Sequence, residues 1–278
     1  MMVIDRPRMT LVDLPEVKNR LRSIWSQGDY SMLSGMLEPA ALALCDACGV
    51  SAEQEVLDVA AGDGNFATAA ARRGARVTAS DLSPRMVERG QARSAALGLE
   101  IEWTEADAEE LPFEDGRFDC VGSVFGAMIA PRPRVAAEEL FRVVRPGGTV
   151  GMTAWVPRSF TAELIGIGRR YTSPPEWIPP SEEWGVEERV RERFEGLADS
   201  IRFERRPLVH EAESPDSFAD ALASTAPPMA AARQLLPPER FEALVADNLE
   251  LVRRWNEAPD GSLHIRSEYL LIVARKGA

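Results

Sequence analysis

No apolar run in this 278-residue chain approaches the roughly 20 residues that cross a bilayer, so no membrane span is expected. The opening MMVIDRPRMTLVDLPEV lacks the hydrophobic stretch of a secretory signal. Cysteine is scarce, with three residues, and the two shortages together predict a reducing, cytoplasmic setting. Histidine is scarcer still, with only His210 and His264. Cys45 and Cys48 have C-x-x-C spacing, but a zinc site needs a second pair of ligands. Only Cys120 and the two distant histidines remain, so no metal is expected and both thiols read as small hydrophobes packing a helix. Positive charge is in deficit. The 32 Lys and Arg face 44 Asp and Glu, for a formal net charge of −12. Such a surface repels nucleic acid phosphates and anionic membranes, which argues against a nucleic acid partner. The densest basic stretch, Arg189, Arg191, Arg193, Arg202, Arg205 and Arg206, alternates with glutamates and reads as a solvated helix face with i,i+3 and i,i+4 pairs.

The length allows one large domain or a core with an insert, and 45% hydrophobic residues is ordinary for a globular chain. The chain is organised around VLDVAAGDGNFATAAARRGARVTASD, residues 56–81. A short apolar run ends in a glycine turn, Gly62-Asp63-Gly64. An alanine-rich helical segment follows, then a second β-branched run that closes on Ser80-Asp81. A right-handed crossover places that turn at the carboxyl edge of a parallel sheet, where open α/β sheets hold ligands. Gly62 and Gly64 can take positive φ and carry no Cβ, so a ligand can approach the backbone. Asp81, at the tip of the second strand, can accept hydrogen bonds from both hydroxyls of a ribose. Asp58 lies inside the first strand, where an acid suits a ligand with an amino group near the turn and does not help a pyrophosphate. A dinucleotide turn would also put its third glycine at position 67, which is Ala67.

These residues resemble the first motif of the class I S-adenosylmethionine (SAM)-dependent methyltransferases, in the small-molecule group similar to the ubiquinone and menaquinone biosynthesis enzymes. The family pattern is roughly D/E-x-G-x-G-x-G, and here it reads Asp58-Val59-Ala60-Ala61-Gly62-Asp63-Gly64, with Ala60 in place of the first glycine. EELFRVVRPGG, ahead of a further strand, resembles a second family signature. The resemblance covers about residues 20–155. It implies an α/β fold, a Rossmann-like seven-stranded mixed sheet with an antiparallel last strand, plus a helical cap. The cofactor implied is SAM, leaving as S-adenosyl-L-homocysteine (SAH). In this family the segment before the first strand folds over the cofactor, which makes Trp25 and Tyr30 candidate lid residues. Around the glycine turn the implied contacts are Asp58, Ala60, Gly62, Gly64 and Asn65. Past the second strand they are Asp81, Leu82 and Met86. Asp107 and Ala108 match the pair that receives the adenine 6-amino group. Val124, Phe125 and Met128 stand at the sulfonium side.

Along the chain, the pattern predicts helices broken at Gly28-Asp29-Tyr30 and a further helix over 38–48 ended by Gly49. Ser83-Pro84 opens another helix as N-cap and first residue. Strands are expected over 99–104, 120–124 and 149–155, the last after a sharp Arg145-Pro146-Gly147-Gly148 turn. Composition then shifts. Residues 157–183 carry five prolines with Phe160, Tyr171 and Trp177. A helix over 186–197 and strand six over 201–210 follow. Residues 214–257 read as helical with loops at Pro227-Pro228 and Pro237-Pro238, and 264–274 as the final strand. The division expected is a helical lid over 1–50, a SAM-binding core over 51–156, and cap helices with the last two strands over 157–278.

Methyl transfer from a sulfonium needs mainly placement of a nucleophile and exclusion of water; a base is required only if the acceptor must lose a proton. No catalytic residue is assigned. His210 and His264 are the candidate bases by topology, against a structural role for each. The aromatic and proline content past Trp155 predicts a pocket for a hydrophobic or aromatic metabolite methylated on O or C. Two other classes share the same turn: an NAD-dependent oxidoreductase, and a SAM-binding protein without catalysis.

Overall fold

The computed structural model describes residues 13–277. Seven strands form one sheet in the order β3-β2-β1-β4-β5-β7-β6. They are β1 (Glu55–Val59), β2 (Arg76–Asp81), β3 (Ile101–Glu105), β4 (Phe118–Val124), β5 (Val144–Trp155), β6 (Ala198–Ala212) and β7 (Leu263–Lys276). The first five are parallel, and β7 enters antiparallel between β5 and β6, as the sequence implied. The reversal of order between β1 and β4 leaves a crevice at their carboxyl ends.

Ten helices accompany the sheet among the described residues: α1 (Leu14–Trp25), α2 (Ser31–Cys48), α3 (Asn65–Ala71), α4 (Pro84–Ala96), α5 (Pro133–Val143), α6 (Phe160–Thr172), α7 (Glu187–Phe194), α8 (Pro215–Thr225), α9 (Pro227–Leu235) and α10 (Pro238–Trp255). None is long and apolar enough to cross a membrane. Residues 1–12 of the lid expected over 1–50 lie outside the described residues.

Several boundaries differ from the pattern in the sequence, each for a physical reason. α2 begins at Ser31, not Glu38, and carries Pro39 in its interior. Its buried face of Ala40, Ala41, Leu44, Cys45 and Cys48 outweighs the missing amide donor. Arg145-Pro146-Gly147-Gly148 is not a separate turn, because β5 starts at Val144 directly off α5. α6 is absent from the sequence pattern, since Gly166 and Gly168 weaken its helix propensity. Pro227 and Pro238 do not sit in loops but open α9 and α10, where a missing N–H costs nothing. Arg202, Arg205 and Arg206 belong to β6 rather than to a helix face, and Arg193 is buried over Trp184.

The antiparallel β6–β7 pair builds the cap. Tyr269 pairs with Trp155 at the end of β5, and β7 reaches back from there to Leu263, roughly 20 Å at 3.4 Å per residue. A second apolar cluster forms on that extension, with Phe160, Phe218, Leu244, Leu251 and Ile265 at its centre. The turn between α1 and α2 is docked onto this cap. The Asp29 amide donates to Thr225 O at 2.8 Å, and Gly28 (φ 64°) lies so close that a Cβ there would be 2.3 Å from the same oxygen.

Candidate active site

The site is assembled at the carboxyl ends of β1, β2 and β4. Ala60 leaves β1 with a left-handed backbone (φ 52°), Gly62 and Gly64 follow at φ 58° and 90°, and α3 starts at Asn65. Asp81 braces the turn from β2. One of its carboxylate oxygens accepts the Gly62 amide and the other the Ser83 amide, both at 2.8 Å. Burial pushes its pKa up to about 6, against those two bonds. Asp58 is buried beneath the turn, where its Oδ2 accepts the Ala67 amide at 2.8 Å. Its Oδ1 has no hydrogen-bond partner among the described residues. Burial raises Asp58 to about 8, opposed by the Ala67 bond and reinforced by Asp81 and Asp63.

That arrangement discriminates between cofactors. The α3 amide that a pyrophosphate would need is taken by a carboxylate, which disfavours a dinucleotide. An orphaned buried carboxylate oxygen beneath the turn fits a ligand bearing an amino group. Asp81 keeps a second lone pair on each oxygen for ribose hydroxyls.

The space beside the glycines is shared with the protein's own aromatics. A Cβ at Gly62 would fall 2.9 Å from the Tyr30 ring, and one at Gly64 would fall 2.8 Å from Trp103. Trp103 also fills the notch left by Gly90 and is fixed by its Nε1–H donating to Ser94 Oγ at 3.1 Å. Burial first, then Asp63, Asp81 and Asp58, drive the Tyr30 hydroxyl upward. Trp25 meets Tyr30 edge-on at 6.1 Å.

A cluster not expected from the sequence pins the turn from outside. Arg93 Nη1 of α4 donates to Ser34 Oγ, Asp63 Oδ1 and Asn65 Oδ1 at 2.8–3.0 Å, and Asn65 Nδ2 donates to Ser34 O at 2.8 Å. Arg93 and Ser34 sit on α4 and α2 among other polar residues, so nothing in the linear pattern marks them.

α1 runs along the β2–β3 edge. Arg22 Nε donates to Leu82 O at 3.1 Å, and Ser26 and Ser83 share a hydroxyl bond at 2.9 Å. Met86 is buried in the first turn of α4, its amide bonded to Ser83 Oγ at 3.3 Å. Asp107 and half-buried Ala108 lie in the loop after β3, where Asp107 Oδ1 accepts the Glu109 amide at 2.9 Å.

At the other end, Val124 closes β4 and Phe125 turns left-handed (φ 55°), its amide donating to Thr153 Oγ1 at 3.1 Å. The Phe125 ring stacks on Trp155 at 3.9 Å and 8°, and Tyr269 meets it edge-on at 5.5 Å. Met128 is buried in the single helical turn Ala127–Ile129 that follows. Of the residues expected at the cofactor, Asp58, Ala60, Gly62, Gly64 and Asn65 lie in or after β1, Asp81, Leu82 and Met86 at or after the end of β2, Asp107 and Ala108 after β3, and Val124, Phe125 and Met128 at or after the end of β4, while Tyr30 meets Gly62 from the start of α2. The histidines do not reach these positions. His210 is buried between Phe160 and Phe218 in the cap, and His264 on β7 faces Glu211 on β6. Cys45 and Cys48 are buried in α2 against the sheet. A cleft of about 610 Å³ opens past Pro157 between α6 and α10, lined by charges of both signs.

The fold is that of the class I α/β methyltransferases, and comparison with known proteins identifies the chemistry. A methyltransferase domain model matches residues 56–148. An uncharacterized protein of Mycobacterium tuberculosis is 40% identical over 260 residues, covering 92% of this chain and 93% of that protein. Demethylmenaquinone methyltransferase of Clavibacter sepedonicus is 42% identical over 99 residues, 36% of this chain and 40% of that one. The crystal structure of the YcgJ protein of Bacillus subtilis superposes with a TM-score of 0.59 at 20% identity, covering 86% of this chain and 99% of that one, and so shares the fold. The chain belongs to the class I SAM-dependent methyltransferases, in one family with the mycobacterial protein. SAM is the cofactor of that class.

Proposed function

We propose that this methyltransferase acts on an oxygen or carbon atom of a small hydrophobic or aromatic metabolite, in the cytoplasm and without a nucleic acid partner. The observation that carries this reading is the Phe125–Trp155–Tyr269 cluster, three buried rings at the carboxyl ends of β4 and β5. A flat apolar acceptor stacks against such rings, whereas a charged one loses its hydration there. Similarity of the core to a demethylmenaquinone methyltransferase points the same way.

In this reading residues 1–50 act as lid, 51–156 as cofactor core and 157–278 as cap with the two closing strands. Asp81 takes the ribose hydroxyls, Asp58 the amino group of the methionine end, and Asp107 the adenine 6-amino group, with Leu82, Met86 and Ala108 flanking the base. Tyr30, Ala60, Gly62, Gly64 and Asn65 frame the methionine end, and Val124, Phe125 and Met128 border the sulfonium. The bound cofactor supplies a methyl group on a positively charged sulfur, already activated for in-line displacement. The chain's part is to orient the acceptor and keep water out.

The test is to incubate the protein with methyl-labelled SAM and a panel of quinols, phenols, amines, RNA and whole-cell protein. Label on the oxygen or ring carbon of an apolar acceptor is the expected result. Label confined to RNA, protein or amines would overturn it.

A further inference from the structure

Of the chain's 32 lysines and arginines only Lys18 and Lys276 are lysines. Lys276 donates to the Phe141 and Val144 carbonyls around the end of α5. Lys18 has a different setting. It projects from α1, and its Nζ lies 2.5 Å from Asp107 Oδ2 and 2.7 Å from Glu109 Oε2. Its side chain is 16% exposed and that of Glu109 is fully buried. Glu109 is also held by Arg132, through Nε at 2.8 Å and through the backbone amide at 2.5 Å.

The segment between β3 and β4, which carries Asp107, has no helix to fix its shape. A chain of charge-assisted bonds running from Lys18 through Asp107 and Glu109 to Arg132 at the start of α5 holds its Asp107 end, while Arg142 holds the Leu111 and Phe113 carbonyls further on. A carboxylate in a short loop has rotational freedom, and its two oxygens must be tied before a third bond to a ligand has a fixed direction. The Glu109 amide ties Oδ1 and Lys18 ties Oδ2. The ammonium is a charge that can bond two carboxylates at once, and it is this bridging charge that ties Asp107 to Glu109.

We propose that Lys18 is a positioning residue of the cofactor site: by bridging Asp107 and Glu109 from α1, it orients the Asp107 carboxylate to read the 6-amino group of adenine. This rests on the assignment of Asp107 to adenine, and the experiment separates the two.

SAH and S-inosylhomocysteine, which differ in carrying an amino or an oxo group at position 6, are titrated calorimetrically into wild type, Asp107→Ala, Lys18→Met and Lys18→Arg, with thermal unfolding as a check on folding. Wild type is expected to prefer SAH by roughly tenfold or more, because an oxo group would face a carboxylate. Asp107→Ala should abolish the preference; if it persists, the adenine assignment fails and the role of Lys18 falls with it. Lys18→Met should reduce the preference to within about threefold while the protein stays folded, since Arg132 still satisfies Glu109. Lys18→Arg should recover most of it. Wild-type preference in Lys18→Met, with loss in Asp107→Ala, would overturn the role of Lys18 alone. Equal loss in Lys18→Met and Lys18→Arg would also overturn it, by showing that the bridging charge is not what matters.

Discussion

Ala60 and Gly126 lie back to back at the carboxyl ends of β1 and β4. A Cβ at Gly126 would fall 2.2 Å from Ala60 O and 2.7 Å from Ala60 Cβ. The family's first glycine is therefore missing as a residue but kept as a conformation, because Ala60 still holds φ 52°. That backbone costs an L-residue about 1–2 kcal/mol, while a glycine there would lose about 0.5–1 kcal/mol more chain entropy on folding. Ala60→Gly should thus be neutral to about 1 kcal/mol stabilising in denaturant unfolding. Gly126→Ala should cost about 1–3 kcal/mol or more, because backbone cannot yield as a side chain can. An Ala60→Gly protein clearly weaker than wild type would show that the methyl group packs favourably in the turn.

Asp81 has a structural duty as well as a place at the ribose. Its two oxygens are the partners of the buried Gly62 and Ser83 amides. Asp81→Ala should lower SAH affinity tenfold or more, since a charged-group hydrogen bond is worth roughly 1.5–3 kcal/mol. It should also destabilise the ligand-free protein, because each orphaned amide costs roughly 1–3 kcal/mol. Calorimetric titration and unfolding of the same variant measure both. Unchanged stability with lost affinity would mean that the turn does not depend on this carboxylate.

How much of this edge was legible in the sequence follows from range. Asp58, the glycines and Asp81 sit at fixed spacings set by one strand–turn–helix–strand unit, so local chemistry is enough to find them. Lys18, Ser34, Arg93 and Glu109 act on residues 28 to 91 positions away or on such contacts' partners. A charge on an amphipathic helix looks the same whether it meets water or a distant carboxylate. The β6–β7 pair was visible as strands, but the extension that carries the cap depends on pairing beyond the end of β5. α6 was missed because its two glycines hide a buried face of Phe160, Ala162 and Ile167.

Asp58 makes cofactor binding a protonic event. Its pKa rises from 3.8 to about 8 in the folded chain, and that of Asp81 to about 6. Between the unfolded and folded values the native state holds more protons than the unfolded one. The ligand-free protein should therefore lose stability as pH rises from about 4 to about 8 and level off above. A cationic amino group beside the free Oδ1 favours the ionised form, so SAH binding at pH 7 should release a proton from Asp58. Titration in buffers of different ionisation enthalpy reads that release directly, and Asp58→Asn should abolish it. Binding at pH 7 with no proton exchanged would place the amino group elsewhere.

His210 tests whether the cap holds a base. Both ring nitrogens are buried without a partner among the described residues, with Phe160 at 5.7 Å and Phe218 at 5.9 Å. Its strand partner Ile265 lies four residues along β7 from Tyr269, roughly 14 Å beyond the end of β5. Burial lowers its pKa from 6.5 to about 4. Below 6.5 the unfolded chain binds a proton that the native state refuses, so His210 contributes a loss of stability as pH drops from 6.5 towards 4, opposite in sign to the contribution of Asp58 and Asp81. His210→Phe should remove that dependence and stabilise the protein at pH 8 by about 1–2 kcal/mol, since a phenyl ring of similar size replaces two unsatisfied polar atoms. Methyl transfer should persist in the variant. A stable His210→Phe protein that binds SAH normally but no longer transfers the methyl group would instead make His210 the base, reached by an acceptor that penetrates the cap.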